Sequence, residues 1–408
     1  MKYLLPAVCA FIAIIGFTAK PPEEPELRLV FTGDIRGYLS PCGCSKPQIG
    51  GVLRMAGVVR ALKKQPNTLY ADLGNWTMAA GRQDELKADA LAEVFRSLDP
   101  DALNIGAIDA KLGRDLLIAL NESTNNRLIS SNFAVGDEIR IAKREGATLA
   151  TIAGLMPDYE AERYGALRNL SRESIAASSA DILLFAGSLE EAKALIDETN
   201  FAGLVIFSQN GDPTNAPIEY RKATLVSPGD KGRFVGYIER KNGKWTNLRT
   251  ISLGPEHFDD ESAHMAYHAY LERVSSEKLL EAIPRTNELG YVGSEACASC
   301  HTDAHAIWIE TKHANALETL EKTGNDRDPE CVGCHVVGLN AISGFRSRSL
   351  TPTKADVGCE SCHGPGDKHL SMPYEPYGKA GEASCLPCHN ADHSPGFDFK
   401  TYWEKIKH

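Results

Sequence analysis

From residue 27 to about 255, short apolar runs bounded by turn residues alternate with segments of helical period. Leu27–Phe31 predicts a buried strand, followed by a loop with Gly, Pro and Cys and then a helix over Val52–Lys64. Thr68–Leu73 predicts a second strand. Helices are expected over Glu85–Ser97 and Leu112–Leu120, with short strands at Ala102–Ile105 and Arg127–Ser130. Asp181–Phe185 and Leu204–Phe207 predict further apolar strands on either side of a helix at Leu189–Glu198. Alternation at this spacing implies an α/β sheet with crossover helices. Arg233–Glu239 and Trp245–Leu253 flank Asn242-Gly243, the signature of an antiparallel hairpin.

A helical pattern from Glu261 to Leu280 predicts a connector, and the chain then changes character. Residues 291–408 are rich in Gly, Pro, Cys and His, with few long apolar runs. The expected organisation is an N-terminal segment 1–25, an α/β domain 26–256, a helical connector 257–290 and a Cys/His-rich domain 291–408. In the first segment, Lys2 precedes an apolar run from Tyr3 to Ala19 and a linker Lys20-Pro21-Pro22-Glu23-Glu24-Pro25. The run has the length of a signal-peptide core and is short for a membrane span. Phe17 stands where a cut after Ala19 favours a small residue, so a cleaved signal peptide and an inner-membrane anchor both stay open. Either implies an extracytoplasmic, periplasmic protein. Val8 before Cys9 does not make a lipidation site.

The formal net charge is −10 and no Lys/Arg-rich run interrupts it, which excludes nucleic acid as a partner. Of the 11 cysteines, eight fall in four Cys-x-x-Cys-His motifs. These are Cys297-Ala-Ser-Cys300-His301, Cys331-Val-Gly-Cys334-His335, Cys359-Glu-Ser-Cys362-His363 and Cys385-Leu-Pro-Cys388-His389. Two thiols at this spacing form thioethers to the two vinyl groups of one haem, and the next imidazole reaches the iron. Four covalent haem c groups are therefore expected, with His301, His335, His363 and His389 as proximal ligands. A domain so short cannot also build an ordinary side-chain core, so the porphyrins would form it.

Distal ligands must come from the eight other histidines. His305, four residues after His301, lies on the same side of any helix there and is poorly placed for that haem. Helical spacing carries His313 away from the first attachment site, and Gly364-Pro365-Gly366 can redirect His369. His393 and His408 compete for the fourth haem.

Tyr291-Val-Gly, the Trp308…His313-Ala segment, Cys331-Val-Gly-Cys-His-Val-Val-Gly338 and Val357-Gly-Cys-Glu-Ser-Cys-His-Gly-Pro-Gly366 resemble the tetrahaem cytochrome c family of ammonia oxidisers. Its members accept electrons from hydroxylamine oxidoreductase. The resemblance implies His369 on the first haem, His313 on the third, and a histidine of a C-terminal helix, matching Phe397–His408, on the fourth. It also implies a five-coordinate second haem at Cys331, Cys334 and His335. Electron transfer between redox proteins is the expected function, because bis-histidine haems change little on reduction. Reduction or oxidation of a small nitrogen or sulfur species at the open His335 site is the alternative, so whether the chain is an enzyme stays open. Acidic side chains outnumber basic ones in this domain, so a partner would dock through basic or apolar patches; haem-to-haem oligomers are also open.

Leu27-Arg-Leu-Val-Phe-Thr-Gly-Asp34-Ile-Arg36-Gly-Tyr38, with Gly50-Gly51-Val-Leu-Arg54, resembles the start of the 5′-nucleotidase-like metallophosphoesterases. That family implies a metal-binding α/β sandwich, but here its ligands are replaced. Arg36 stands for the motif histidine, Asn75 for the bridging aspartate, Asn104-Ile-Gly106-Ala107-Ile108-Asp109 lacks the Asn-His pair, and Ser208-Gln-Asn-Gly211 occupies a histidine motif. The first histidine of the whole chain is His257, so a centre built on several imidazoles is not available. The expected architecture is a metallophosphoesterase-like sandwich without its metals, serving docking or binding, followed by a mainly α, haem-packed multihaem cytochrome c domain. Hydrolase activity is the minor alternative. Cys42-Gly-Cys44 could bind a soft metal, hold sulfur, ligate a haem edge-on from the other domain or simply pack as reduced thiols; a bridge across one residue is strained. His264 and His268 are at chelating spacing, but exposed connector histidines are the plainer reading.

Overall fold

The computed structural model describes residues 24–41, 48–164 and 180–408. Cys9, Cys42 and Cys44, and the apolar run at Tyr3–Ala19, lie outside the described residues.

Twelve strands form two mixed six-stranded sheets among the described residues. The first comprises β1 (Leu27–Thr32), β2 (Thr68–Asp72), β3 (Ala102–Asn104), β4 (Leu128–Ile129), β11 (Phe234–Lys241) and β12 (Lys244–Ser252), in the order β12-β11-β1-β2-β3-β4. The second comprises β5 (Ile139–Arg144), β6 (Ala147–Leu155), β7 (Ile182–Phe185), β8 (Leu204–Phe207), β9 (Ile218–Tyr220) and β10 (Ala223–Val226), in the order β5-β6-β7-β8-β10-β9. β1 to β4 are parallel neighbours, as are β6, β7, β8 and β10, whereas β5, β9, β11 and β12 pair antiparallel.

Alternating side chains explain the layering. On β1, Leu27, Leu29 and Phe31 join Ile152, Ile182, Leu184, Leu204 and Ile206 in a core between the two sheets. Val30 points the other way, towards α1 (Val52–Leu62) and α2 (Arg82–Leu98). Leu183, Phe185, Val205 and Phe207 of the second sheet pack on Ala192, Leu195 and Ile196 of the helix Leu189–Thr199. Both faces of each central strand are buried, which is why these strands are continuous apolar runs. The β11–β12 turn carries Asn242 at φ 50° and Gly243 at φ 71°, the left-handed pair that a two-residue hairpin requires.

The helix expected as a connector runs Glu261–Ser276 and belongs to the first domain's helical layer: Ala263, Tyr270, Leu271 and Val274 are buried in the core with α1 and α2. Asp260 caps it through the backbone N–H groups of Ser262 and Ala263, and also accepts from Arg60 Nε at 2.8 Å. The hairpin β5–β6 and the strands β9 and β10 were not expected.

After residue 290 the chain forms only short helices and loops. Its apolar cluster is small: Leu280, Leu317, Val332, Val336, Leu339, Phe345 and Ala355. The helix expected over Phe397–His408 is confined to Phe399–Trp403.

Candidate haem centres and the phosphoesterase-motif positions

Each Cys-x-x-Cys-His motif wraps through about one helical turn. The N–H groups of His301 and His389 donate to the Cys297 and Cys385 carbonyls at 2.9 and 2.8 Å, and Cys334 N–H donates to the Cys331 carbonyl at 3.3 Å. This turn puts both thiols of a motif on one side, with the histidine following. The eight cysteines form no disulfide and are partly or fully exposed. They also lie against one another between motifs. Cys297 hydrogen-bonds Cys359, Cys362 is an electrostatic neighbour of Cys385, and Cys388 hydrogen-bonds Cys334. The four motifs therefore follow each other in space in the order first, third, fourth, second.

The imidazoles show where a metal would fit. A first-row metal sits about 2 Å from an imidazole nitrogen, so one ion between two opposed imidazoles holds their ring centroids about 6 Å apart. Three motif histidines face a second histidine at that spacing: His301–His369 at 6.1 Å, His363–His408 at 5.8 Å and His389–His313 at 6.1 Å. Three motif histidines have Nδ1 engaged, which directs Nε2 outward. His335 Nδ1 is 2.7 Å from the Ala316 carbonyl, His363 Nδ1 is 2.7 Å from the Gly378 carbonyl and His389 Nδ1 is 3.2 Å from Ser394 Oγ. His369 Nδ1 is buried without a hydrogen-bond partner, as a ligand awaiting a metal would be. Burial lowers the pKa of His313 and of His389, which favours the neutral, ligating form. The residues present thus fit haem iron.

The pairing differs from the expected one. His313 lies against His389 of the fourth motif, not against the third, and His408 lies against His363 of the third. The reason is the C-terminal helix. Phe397 stacks on His389 at 4.9 Å and Tyr402 meets it edge-on at 5.4 Å, so this helix covers the fourth motif with aromatic rings. The residues beyond Trp403 carry His408 onward to the third. His393 is half-buried, with its backbone N–H on Asn390 Oδ1 at 3.1 Å, and His305 lies beside Trp308 at 5.3 Å between centroids.

Sequence reasoning missed Glu360, one of the two variable residues in the third motif. It is 3% exposed and accepts hydrogen bonds from the backbone N–H groups of Val292, Gly293 and Gly366 at 2.7–3.1 Å. One carboxylate thereby ties the approach to the first motif, the third motif and the turn leading to His369. Nothing in its sequence position separates it from an exposed spacer residue.

In the first domain, the positions of the phosphoesterase motifs converge at one end of the sheets. Asp34 is fully buried, and its two oxygens accept from Asn75 Nδ2 at 2.8 Å and Ser208 Oγ at 2.6 Å. Arg36 lies 3.5 Å from Asp34 and 3.8 Å from Asp230. Asp34, Arg36 and Asn75 all have left-handed backbone, with φ 49°, 53° and 59°. Such conformations cost energy in residues other than Gly and persist here because the surrounding hydrogen bonds hold them. Burial raises the pKa of Asp34 and pushes Asp72 up to about 6, although Thr32, Gly74 and Trp76 hydrogen-bond the Asp72 carboxylate. Asp109 is pushed up to about 7 by burial, against the N–H groups of Asn75, Trp76 and Gly106 that hold it down. Asn104 Nδ2 donates to the carbonyls of Leu73, Leu155 and Leu184, stitching the two sheets together. A cleft of about 380 Å³ opens beside Arg36 and Ser208. No group of three or more metal-ligating side chains is found among the described residues. His264 and His268 are exposed, with their Nε2 atoms 3.3 Å apart.

Residues 296–364 match the protein family described as cytochrome c554 and c-prime. Over 91 residues the chain is 38% identical to cytochrome c-554 of Nitrosomonas europaea, covering 19% of this chain and 39% of that protein. The C-terminal region is a cytochrome c554-like domain. It is also similar to the C-type polyheme cytochrome OmcB of Geobacter sulfurreducens, 28% identical over 86 residues, which cover 20% of this chain and 12% of that one. The chain thus spans well under half the length of these relatives. Ahead of the cytochrome c554-like domain, the fold is that of a 5′-nucleotidase. The 5′-nucleotidase precursor from Thermus thermophilus superposes with a TM-score of 0.51 at 16% identity, covering 73% of this chain and 68% of that one. The NAD nucleotidase NadN of Haemophilus influenzae gives 0.50 at 13% identity, covering 66% and 64%. Likeness at such identity establishes the fold alone.

Proposed function

We propose that this chain is an exported tetrahaem c-type cytochrome that passes electrons between redox proteins. The observation that carries this reading is the set of three opposed imidazole pairs at 5.8–6.1 Å, each including one motif histidine. Haems would be held by Cys297/Cys300, Cys331/Cys334, Cys359/Cys362 and Cys385/Cys388. The axial pairs would be His301 with His369, His363 with His408, and His389 with His313, while His335 is the proximal ligand of the second haem. When bound, the haems supply reversible one-electron chemistry at iron. The protein's part is to hold both axial nitrogens in place in each oxidation state, so that little rearrangement accompanies electron arrival. The thiol contacts suggest a path running first, third, fourth, second.

The phosphoesterase-like domain is read as a scaffold that has lost its metal centre. Arg36 places a fixed cation where a metal ligand would stand, and Asn75 and Ser208 occupy both oxygens of Asp34. A guanidinium at that point repels a divalent ion as well as lacking a lone pair to give it.

The test is the spin state of the oxidised protein with its full haem complement. Three low-spin bis-histidine haems are expected. A protein in which the first, third and fourth haems are high-spin would contradict the assignment. A high-spin second haem that responds to nitric oxide and turns over a small nitrogen species would replace electron transfer by the reductase reading.

A further inference from the structure

The first domain grips the second motif, and does so with buried polar groups. Asp328, three residues before Cys331, is 5% exposed. Its Oδ2 accepts from Tyr270 Oη at 2.8 Å, and its Oδ1 accepts from Gln83 Nε2 at 2.7 Å and from the Glu330 N–H at 2.9 Å. Gln83 also donates to Tyr270 Oη at 2.8 Å, so the cluster is closed on itself. Asp328 is at the same time the N-cap of the turn Pro329–Val332 that carries Cys331. One residue before Cys331, Glu330 receives Lys87 Nζ at 2.6 Å. Lys87 comes from α2, and its side chain is only 6% exposed against 58% for Glu330. Beside this pair, Tyr267 Oη donates to Asn325 Oδ1 at 2.5 Å. A further ion pair, Lys231 with Asp392, reaches the segment just after the fourth motif. Gln83, Lys87, Tyr267 and Tyr270 thus hold the segment leading into the second motif, and Lys231 the segment leaving the fourth, the two motifs brought together by Cys334 and Cys388.

We propose that Lys87 and Glu330, together with the Tyr270–Asp328–Gln83 cluster, are positioning residues for the haem attached at Cys331 and Cys334, so that the phosphoesterase-like domain sets that haem's potential. This rests on the tetrahaem reading above. The physical basis is the unequal exposure of the pair. A buried ammonium is screened far less than an exposed carboxylate, so Lys87 outweighs Glu330 in its effect on the surroundings, while the buried Asp328 carboxylate acts in the opposite sense. Positive potential stabilises the reduced, more electron-rich haem and raises its midpoint potential. The second haem stands at one end of the thiol-contact order, where its potential decides whether electrons rest there or move on. A scaffold that has lost its own chemistry would in this way tune the end of the electron path.

The experiment is a spectroelectrochemical titration of the full-length protein, with intact mass measured on each variant. Lys87→Met is expected to lower the potential of one of the four couples, and Glu330→Gln to raise the same one by a smaller amount. Lys87→Met/Glu330→Gln should bring it back towards its starting value, and Lys87→Arg should leave it in place. A purely structural contact would shift the couple the same way in both single variants. That outcome, or no shift with all four haems retained, overturns the proposal. Should Lys87→Met not accumulate, Glu330→Gln decides alone, since its carboxylate is largely in solvent: a rise supports the proposal and any other result defeats it. A wild-type mass lacking haem on the second motif would fell the tetrahaem reading itself, which separates the two failures.

Discussion

Replacing Glu360 should loosen the junction of the first and third motifs. In Glu360→Ala, the buried backbone N–H groups of Gly293 and Gly366 and the half-buried one of Val292 lose their acceptor. Each orphaned donor costs about 1–3 kcal/mol, so the loss is roughly 3–9 kcal/mol. That is comparable with the whole stability of an ordinary domain, about 5–15 kcal/mol. Glu360→Gln should cost less. An amide oxygen at the Oε1 position still serves Gly366 at 2.7 Å and Val292 at 2.9 Å, whereas the amide nitrogen now confronts the Gly293 N–H. One lost charge-assisted bond corresponds to roughly 2 kcal/mol. Guanidinium unfolding of the haem-loaded protein, followed in the Soret band, measures both. Amide exchange at Val292, Gly293 and Gly366 should accelerate in the same order, Ala above Gln above wild type. If Glu360→Ala unfolds within about 1 kcal/mol of wild type, the carboxylate is not what holds these segments, and the reasoning fails.

Three further outcomes follow from the same geometry. His313→Ala should turn one low-spin haem high-spin, and mass mapping with the additional variant His389→Ala should place the change at the fourth motif; a change at the third would restore the pairing implied by family resemblance. The contribution of Asp72 and Asp109 to stability should decline as pH rises from about 4 to 7. Folding raises Asp72 to about 6 and Asp109 to about 7, above the roughly 3.9 of an unfolded aspartate. The folded chain therefore holds protons that the unfolded chain has released, and the stabilisation present below pH ~4 is lost as pH climbs through those values. Urea midpoints from pH 4 to 8, measured for wild type and Asp109→Asn, test this: the wild-type midpoint should fall relative to that of the variant as pH rises. Added manganese or zinc should yield no hydrolysis of phosphate esters, in wild type or in Arg36→His, because Asn75 and Ser208 also occupy the Asp34 carboxylate.

The strands that were legible in sequence are those buried on both faces. Leu204–Phe207 and Leu27–Thr32 are such strands, and an uninterrupted apolar run reports this directly. The β5–β6 hairpin was not legible because β5, with Arg140, Lys143 and Arg144, has a single buried residue, Ala142. Its edge position leaves almost no hydrophobic signature, and its turn residues Glu145 and Gly146 stand out only by their left-handed backbone, φ 49° and 83°. The Cys-x-x-Cys-His motifs announce themselves because the covalent chemistry proposed for them demands a fixed spacing. Distal pairing does not, since it depends on how short helices fold back. Phe397 and Tyr402 covering His389 is a tertiary fact with no local pattern. Asp328 and Lys87 were invisible for a related reason: they lie 241 positions apart in sequence, and each looks like an ordinary surface charge until the two domains meet.

The central claim, four haems on one chain, is tested most directly by the intact mass of the protein purified from an export-competent host, with peptide mapping of each motif. A mass increased by four haems, one on each of the Cys297, Cys331, Cys359 and Cys385 peptides, is the predicted result. Fewer than four, or a motif found with free thiols in otherwise loaded protein, would contradict it.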